Sequence, residues 1–395
     1  MKSVAAILLL VFSSLTITGI ALEGWLAIAR INTKSIAQFI PGKGTIYVPG
    51  AYYRHVDEGF SEGHMNSHGF RDYERTLEKP DKTFRILVLG NSYAEAFQVP
   101  LENSFPAVLE RKLNESFHPM KFEVLNLGQS GFGTADEYVR YVKFGVNFSP
   151  DLVLLAFVTG ADVRTNSKAF NTELSYFFDI DPEGNAILDE SRYTEYGQTY
   201  TAGKRLFQQL KQHSFLASLA SEWAFKLKYQ RRQENLEKTS TVKAQTDSKV
   251  KLPESSSMNV YLPGMSQRWK DAFAVTEAGL RKIREAVEEN GSRFVLVTLT
   301  NAEQVHPEVG QKLRDSYSDD FDFDLPDRII AKFADDAGIQ HLELMPAFRE
   351  YHSKTGEFLH GFGTGKGGHW NERGHRLAAE KILEFLNEKY RFSPG

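Results

Sequence analysis

RILVLGNSYAEAF, residues 85–97, is apolar from Ile86 to Leu89 and then stops on Gly90-Asn91-Ser92. A short apolar run closed by glycine reads as a buried strand. What it presents at its end is a serine. Ser92 either caps the next helix or is a nucleophile on a tight turn.

The same punctuation recurs downstream. NSFPAVLERKLNESF (103–117) has helical spacing, with Asn103 or Ser104 as candidate N-cap. KFEVLNLG (121–128) is a second strand ending on glycine, and TADEYVRYVKFGVNF (134–148) is helical, with Thr134 as N-cap and acids in its first turn. PDLVLLAFVTG (150–160) is a third strand, apolar enough to be covered on both faces. WKDAFAVTEAGLRKIREAVEENG (269–291) reads as a helix with a glycine stop, RFVLVTL (293–299) as a strand and DRIIAKFADDAG (327–338) as a helix. IQHLEL (339–344) is a fifth strand, and ERGHRLAAEKILEFLNEKY (372–390) a closing helix. Strands alternating with helices imply right-handed crossovers and a parallel sheet. The expected fold class is α/β, a three-layer α/β/α sandwich with a five-stranded parallel sheet, as one domain over 81–392. In such sheets ligands bind beyond the carboxyl ends of the strands. Ser92, Gly131 and Asp162 all follow strand ends.

Residues 165–268 interrupt the alternation as an insertion that could cover the sheet's ligand edge. YFFDIDPEGNAILD suggests a hairpin around Pro182-Glu183-Gly184, and 206–230 a helix. The stretch 231–257 is polar and nearly free of aromatics, which suggests a disordered or mobile loop. Residues 31–80, rich in Pro, Gly and aromatics, look like an extended lead-in, with Arg71 and Asp72 tying it to the domain.

Composition narrows the function classes. The chain of 395 residues is 41% hydrophobic and 25% charged, which suits a globular protein with a sizeable core. A net charge of −4 offers no basic excess for nucleic acid. The absence of cysteine excludes disulfides, thiolate zinc sites and lipidated cysteine. His306, His341, His352 and His360 show no metal-ligand spacing, so no metal is expected. GFGTGKGG (361–368) lacks the glycine and the Ser or Thr of a phosphate loop, and GQSGFG is not a dinucleotide fingerprint. No cofactor is implied. The glycines of 361–368 read as a flexible lip beside His369, and His375 as a structural residue.

The N-terminus carries VAAILLLVFSSLTITGIAL (4–22), nineteen residues without a charge. At about 1.5 Å per residue that crosses a bilayer core of about 30 Å. Trp25 stands just beyond, at an interfacial position. Gly19-Ile20-Ala21 is a small-x-small pattern that a signal peptidase could cut. Residues 1–30 are therefore a signal-anchor or a signal peptide, the length of the run favouring the anchor. Either exports the rest of the chain: membrane-anchored and periplasmic or extracytoplasmic, or secreted if the leader is cleaved.

Four segments concentrate the chemistry: Gly90-Asn91-Ser92-Tyr93, Asn126-Leu127-Gly128-Gln129-Ser130-Gly131, Thr159-Gly160-Ala161-Asp162-Val163 and Gly367-Gly368-His369-Trp370-Asn371. Serine needs a base to take its proton, and a tetrahedral oxyanion needs preorganised N–H donors that a glycine turn can bring close. In order and content these blocks resemble the SGNH, or GDSL-like, hydrolase superfamily. They resemble in particular its membrane-anchored bacterial members, which carry an upstream Asn-x-x-Gly-Phe-Arg element like Asn66–Arg71 here. The resemblance covers roughly 66–165 and 290–390. It implies a flavodoxin-like SGNH fold, Ser92 as nucleophile, His369 as general base, and the backbone N–H groups of Ser92 and Gly131 as oxyanion donors. The chain departs from the family pattern at Asn91, where the family has Asp. It departs at Ala161, where an oxyanion-donating Asn usually stands, and at Gly367, near the usual place of the acid that orients the histidine. Asp162 and Asn166 are candidates to supply part of that support.

Two functions are compatible with this pattern. One is an exported serine esterase or acyltransferase, working through a Ser-His dyad on an O-acyl group, acetyl being the first candidate, of a carbohydrate or envelope polymer. Its substrate would be an acylated carbohydrate or a small ester. The other is a catalytically degenerate relative that binds a glycan or a partner in polysaccharide export or modification.

Overall fold

The computed structural model describes residues 2–29, 34–224, 226–227, 251–363 and 367–392. Its centre is a five-stranded sheet of β1 (Thr83–Gly90), β2 (Lys121–Asn126), β3 (Leu152–Val158), β4 (Arg293–Leu299) and β5 (Gln340–Glu343). The spatial order is β5-β4-β3-β1-β2, with every pairing parallel. Alternation along the strands decides the layers. Ile86, Val88, Val124, Leu154, Val295 and Val297 face one side, where α1 (Phe105–Ser116) and α5 (Glu372–Tyr390) pack with Phe105, Leu109, Ile382 and Leu386. Leu87, Leu89, Leu125, Val153, Leu155 and Leu296 face the other, under α2 (Thr134–Lys143), α3 (Gln267–Glu289) and α4 (Leu325–Asp336). Each fully buried aliphatic side chain contributes about 1.5–3 kcal/mol. A one-residue slip would invert both faces, so the register is fixed. β1 lies between β2 and β3, where the strand order reverses, and the ends of these strands form the crevice where ligands bind in such sheets.

The sequence expectation of three layers and five parallel strands agrees with this structure. Some boundaries differ. Thr134 opens α2 but is not its cap: the N-cap is Gly133, and Thr134 N donates to Asn166 Oδ1 at 2.7 Å, so the capping acceptor comes from another segment. α2 ends at Lys143, and Gly145–Phe148 is a 3-10 turn. A helix at Met345–Thr355, opened by Pro346 and closed by Gly356 at φ +70°, has no counterpart in the sequence reading.

Within the insertion, the expected hairpin forms from Phe177–Ile180 and Ala186–Asp189. It packs on α3, where a Cβ at Gly279 would stand 2.9 Å from the Phe178 ring, rather than over the strand ends. The expected helix at 206–230 is broken. Ala202–His213 is helical, Ser214 is extended with its Oγ accepting from Ala217 N, and helix resumes at 215. Residues 225 and 228–230 lie outside the described residues, as does 231–250 of the expected loop. Its last part, 251–257, is ordered: Trp269 Nε1 and Asn259 Nδ2 hold the carbonyl of Glu254, and Ser257 begins a 3-10 turn.

Residues 37–64 form two antiparallel hairpins, Ala37–Ile40 with Gly44–Tyr47 and Tyr52–His55 with Ser61–His64. Arg71 and Asp72 join this region to the sheet. Arg71, 1% exposed, donates to Tyr53 Oη, to the Glu95 carbonyl and to the Val99 carbonyl. Asp72 accepts from Asn126 N at the end of β2. The N-terminal helix runs Lys2–Ala29, and Val4–Ala29 is long and apolar enough to cross a membrane.

Candidate active site

Ser92 is the first residue of a single turn, Ser92–Glu95, directly after β1. The cap is Asn91, not Ser92: Asn91 Oδ1 accepts from Tyr93 N at 3.0 Å. That leaves the Ser92 hydroxyl for another partner, and it lies 2.8 Å from His369 Nε2. The turn is pressed tightly to its neighbours. A Cβ at Gly128 would stand 2.7 Å from Ala94 Cβ and 2.9 Å from Glu95 N, so only glycine allows the loop after β2 to approach. Asn126 clamps the same turn, donating to the Ala94 carbonyl at 2.7 Å.

His369 is held by an acid from far away in sequence. Glu58, in the loop between the second hairpin's strands, accepts from His369 N through Oε1 at 2.7 Å and from His369 Nδ1 through Oε2 at 2.6 Å. With Nδ1–H donating to a carboxylate, Nε2 carries the lone pair and the Ser92 hydroxyl donates to it. Burial alone would push the Glu58 carboxyl up, but the hydrogen bonds and charge of His369 outweigh it and hold Glu58 below the usual carboxylate range. Gly368 makes this contact possible. Its φ is +96°, and a Cβ there would stand 2.0 Å from Glu58 Oε1.

Each residue of the block GHWN then has a separate task. Gly368 leaves room for the acid, and His369 faces the serine. Trp370, fully buried, donates from Nε1 to Thr300 Oγ1 just past β4. Asn371 caps α5, accepting from Arg373 N and Gly374 N.

Gly131 sits on the adjoining turn after β2, exposed and at φ +82°. This turn is tied to β1 by Gln129 N donating to the Gly90 carbonyl, and to the Ser92–Glu95 turn by Ser130 N donating to buried Glu95 at 2.9 Å. The hydrogen bonds of the two other candidates go elsewhere. Asp162 accepts from Asn91 Nδ2 at 2.6 Å and from Val158 N at 2.7 Å, and burial pushes its carboxyl up to about 7. It steadies the residue before the serine. Asn166 caps α2 and donates to Thr134 Oγ1 and Thr276 Oγ1. Ala161 N donates to the Val158 carbonyl.

The remaining histidines of interest are structural in their contacts. His360 meets His306 and the Thr300 carbonyl, and burial lowers His360 to about 3 and His306 to about 4. His375 is stacked on Phe105, and its Nδ1 accepts from Phe105 N. Of the glycine lip, 364–366 lie outside the described residues. An open groove of about 980 Å³ runs beside the His369 loop, lined by Phe60, Phe358, Phe362, Asn371, Arg373 and Arg376.

No family model matches this chain. It is similar to an arylesterase from Vibrio mimicus, 29% identical over 121 residues, which are 30% of this chain and 60% of that protein. Among solved structures it is similar to the acetyl xylan esterase AlAXEase, at TM-score 0.40 and 15% identity over 76% of this chain and 98% of the other. Axe2, an acetylxylan esterase from Geobacillus stearothermophilus, matches at TM-score 0.39 and 13% identity, over 77% and 94%. LAE5, an alpha/beta hydrolase from the Lake Arreo metagenome, matches at TM-score 0.39 and 12% identity, over 79% and 98%.

Sequence reasoning named Ser92 and His369, which the structure brings to 2.8 Å, and placed Gly131 on the neighbouring turn, but it did not name Glu58. The signal was indirect: a histidine preceded by two glycines instead of an acid leaves space beside it, and the acid must come from elsewhere.

Proposed function

We propose that this chain is an exported, membrane-anchored serine esterase or acyltransferase of SGNH type. Its substrate would be an O-acyl group, acetyl foremost, on a carbohydrate or envelope polymer. The observation that carries the reading is the line of hydrogen bonds from Ser92 through His369 to Glu58. It replaces the expected dyad with a triad whose acid comes from the lead-in. The arylesterase relative supports the ester class, and the apolar N-terminal helix supports placement outside the membrane, where acylated envelope carbohydrates would be met.

In this mechanism Ser92 Oγ attacks the acyl carbonyl carbon as His369 Nε2 takes the hydroxyl proton. Glu58 keeps the ring in the accepting tautomer and stabilises the imidazolium. The oxyanion is received by the backbone N–H groups of Ser92 and Gly131. His369 then returns its proton to the leaving alcohol oxygen as the ester C–O bond breaks. Water or an acceptor hydroxyl, deprotonated by His369, releases the acyl group from Ser92.

The test uses the full chain in detergent, with an activated acetyl ester as substrate and Ser92→Ala beside it. Turnover lost in the variant, with phosphonate labelling of Ser92 in the native chain, is the expected result. Equal background rates in both proteins refute the esterase reading. Ala161, which has no side-chain donor where the family pattern has Asn, favours the second reading, a glycan-binding protein without turnover. Equal background rates together with glycan binding would be its signature.

A further inference from the structure

The helix Ala202–His213 is turned inside out for a protein surface in water. Its apolar residues Leu206, Phe207 and Leu210 are about half exposed, at 58%, 50% and 48%. At about 100° per residue they occupy one sector of the helix. Gln208 points the opposite way, into the protein, where its Oε1 accepts from Phe39 N and from Tyr200 Oη. Lys204 and Lys211 border the apolar sector on its Phe207 side, with Lys211 Nζ over the Phe207 ring at 5.4 Å.

Its position relative to the N-terminal helix says what this face meets. The charge-free stretch ends at Leu22, and Glu23 is the first charge after it. Glu23 caps the junction of the two insertion helices, accepting from Phe215 N at 2.6 Å, Leu216 N at 3.0 Å and Ser214 Oγ at 3.0 Å. Ser35 N, a few residues beyond the N-terminal helix, donates to the Lys211 carbonyl. The junction therefore stands at the level where an anchor leaves the apolar layer. Trp25 on the N-terminal helix, and Trp223 and Leu227 on the second insertion helix, are exposed as well. Tryptophan, exposed leucine and neighbouring lysine are the composition of a helix lying in a membrane interface.

We propose that Ala202–His213, with the beginning of the next helix, rests on the lipid headgroup surface as a foot. It would fix the orientation of the α/β domain against the membrane. The proposal rests on the anchor reading above. Lipid is chosen over a second protein because Glu23 welds this junction to the segment that enters the bilayer.

The cysteine-free chain allows a clean test. Single substitutions Leu206→Cys, Leu210→Cys, Asp320→Cys and Leu15→Cys are made in the full chain and labelled with a nitroxide. The protein is reconstituted in phosphatidylcholine vesicles containing a minority of phosphatidylglycerol. Access to oxygen, which partitions into lipid, is compared with access to a water-soluble nickel chelate. Labels at 206 and 210 are expected to lose nickel access several-fold relative to 320 while keeping oxygen access. Nickel access equal to that at 320 overturns the proposal. Loss of access to both reagents with spin–spin broadening also overturns it, in favour of a second copy of the chain. The label at 15 reports the anchor separately. If 15 lies in the bilayer and 206 is in water, the foot fails and the anchor stands. If 15 is cleaved away, the labels at 206 and 210 still decide.

Discussion

In a Glu58→Gln variant the side chain keeps its length and loses its charge and one acceptor. His369 needs two acceptors from it, one at 2.7 Å for its backbone N–H and one at 2.6 Å for Nδ1–H. The amide has a single oxygen. If that oxygen stays on the backbone N–H, the NH2 faces Nδ1. The ring must then move its proton to Nε2 and can no longer accept from Ser92. If the amide flips, its NH2 opposes the backbone N–H, leaving that donor unpaired at a cost of about 1–3 kcal/mol. The first arrangement resembles the wrong-tautomer state that lowers kcat about 10⁴-fold in a serine protease. The second keeps the tautomer but exchanges a charged acceptor for a neutral one. The expected fall in kcat is therefore about 10²–10⁴-fold, roughly 3–5 kcal/mol at 1.36 kcal/mol per decade. KM should stay within about twofold, because Glu58 acts through His369 and not on substrate. Steady-state hydrolysis of an activated acetyl ester measures both constants. A Glu58→Gln enzyme that keeps kcat within about threefold, while Ser92→Ala is inactive, would refute the reasoning.

Three further outcomes are expected from neighbouring contacts. Gly368→Ala should reproduce the Glu58→Gln defect with the acid itself unaltered in sequence, because the new Cβ would stand 2.0 Å from Glu58 Oε1 at a φ of +96° and push it aside; ester turnover with the Ser92→Ala floor checks it. Glu137, buried with both carboxyl oxygens unpartnered, is raised well above the usual carboxylate range by burial and then by Asp162 and Asp136. The folded state thus holds a proton the unfolded chain releases near pH 4–5, so the contribution of this one group to stability is greatest below that pH and declines as pH rises toward the folded value. Glu137→Gln should be tolerated and flatten that decline, as urea unfolding across pH would show. Arg71→Met strands the Glu95 and Val99 carbonyls and the Tyr53 hydroxyl. At about 1–3 kcal/mol for each of these three buried groups the cost should be roughly 3–9 kcal/mol, read from denaturant midpoints.

The central strands were legible because they are buried on both faces and leave continuous apolar runs soon followed by glycine, as at 86–90 and 152–160. Ser92 and His369 were legible because each is fixed by a local signal at a strand end or helix start. Glu58 was not, because the contact that gives it meaning spans 311 residues. Nothing in Asp57-Glu58-Gly59 sets it apart from a solvated turn. The cap of α2 escapes a sequence reading for the same reason: its acceptor, Asn166, lies 32 residues away and no pattern around Thr134 records it. The helix Met345–Thr355 had its punctuation, Pro346 and Gly356, in plain sight.

The position of Glu58 also bears on how the protein is handled and how it works in place. The span 83–390 holds β1–β5 and α1–α5, the serine, the histidine and nearly all of the two apolar clusters packed on the sheet. A fragment trimmed to it would look complete and yet lack the acid. The segment that joins the domain to its N-terminal helix is thus more than a tether. On the proposed mechanism, a cut between the second hairpin and β1 would separate the stretch carrying Glu58 from the one carrying His369, so the line of hydrogen bonds from Ser92 depends on the lead-in staying in one piece with the domain.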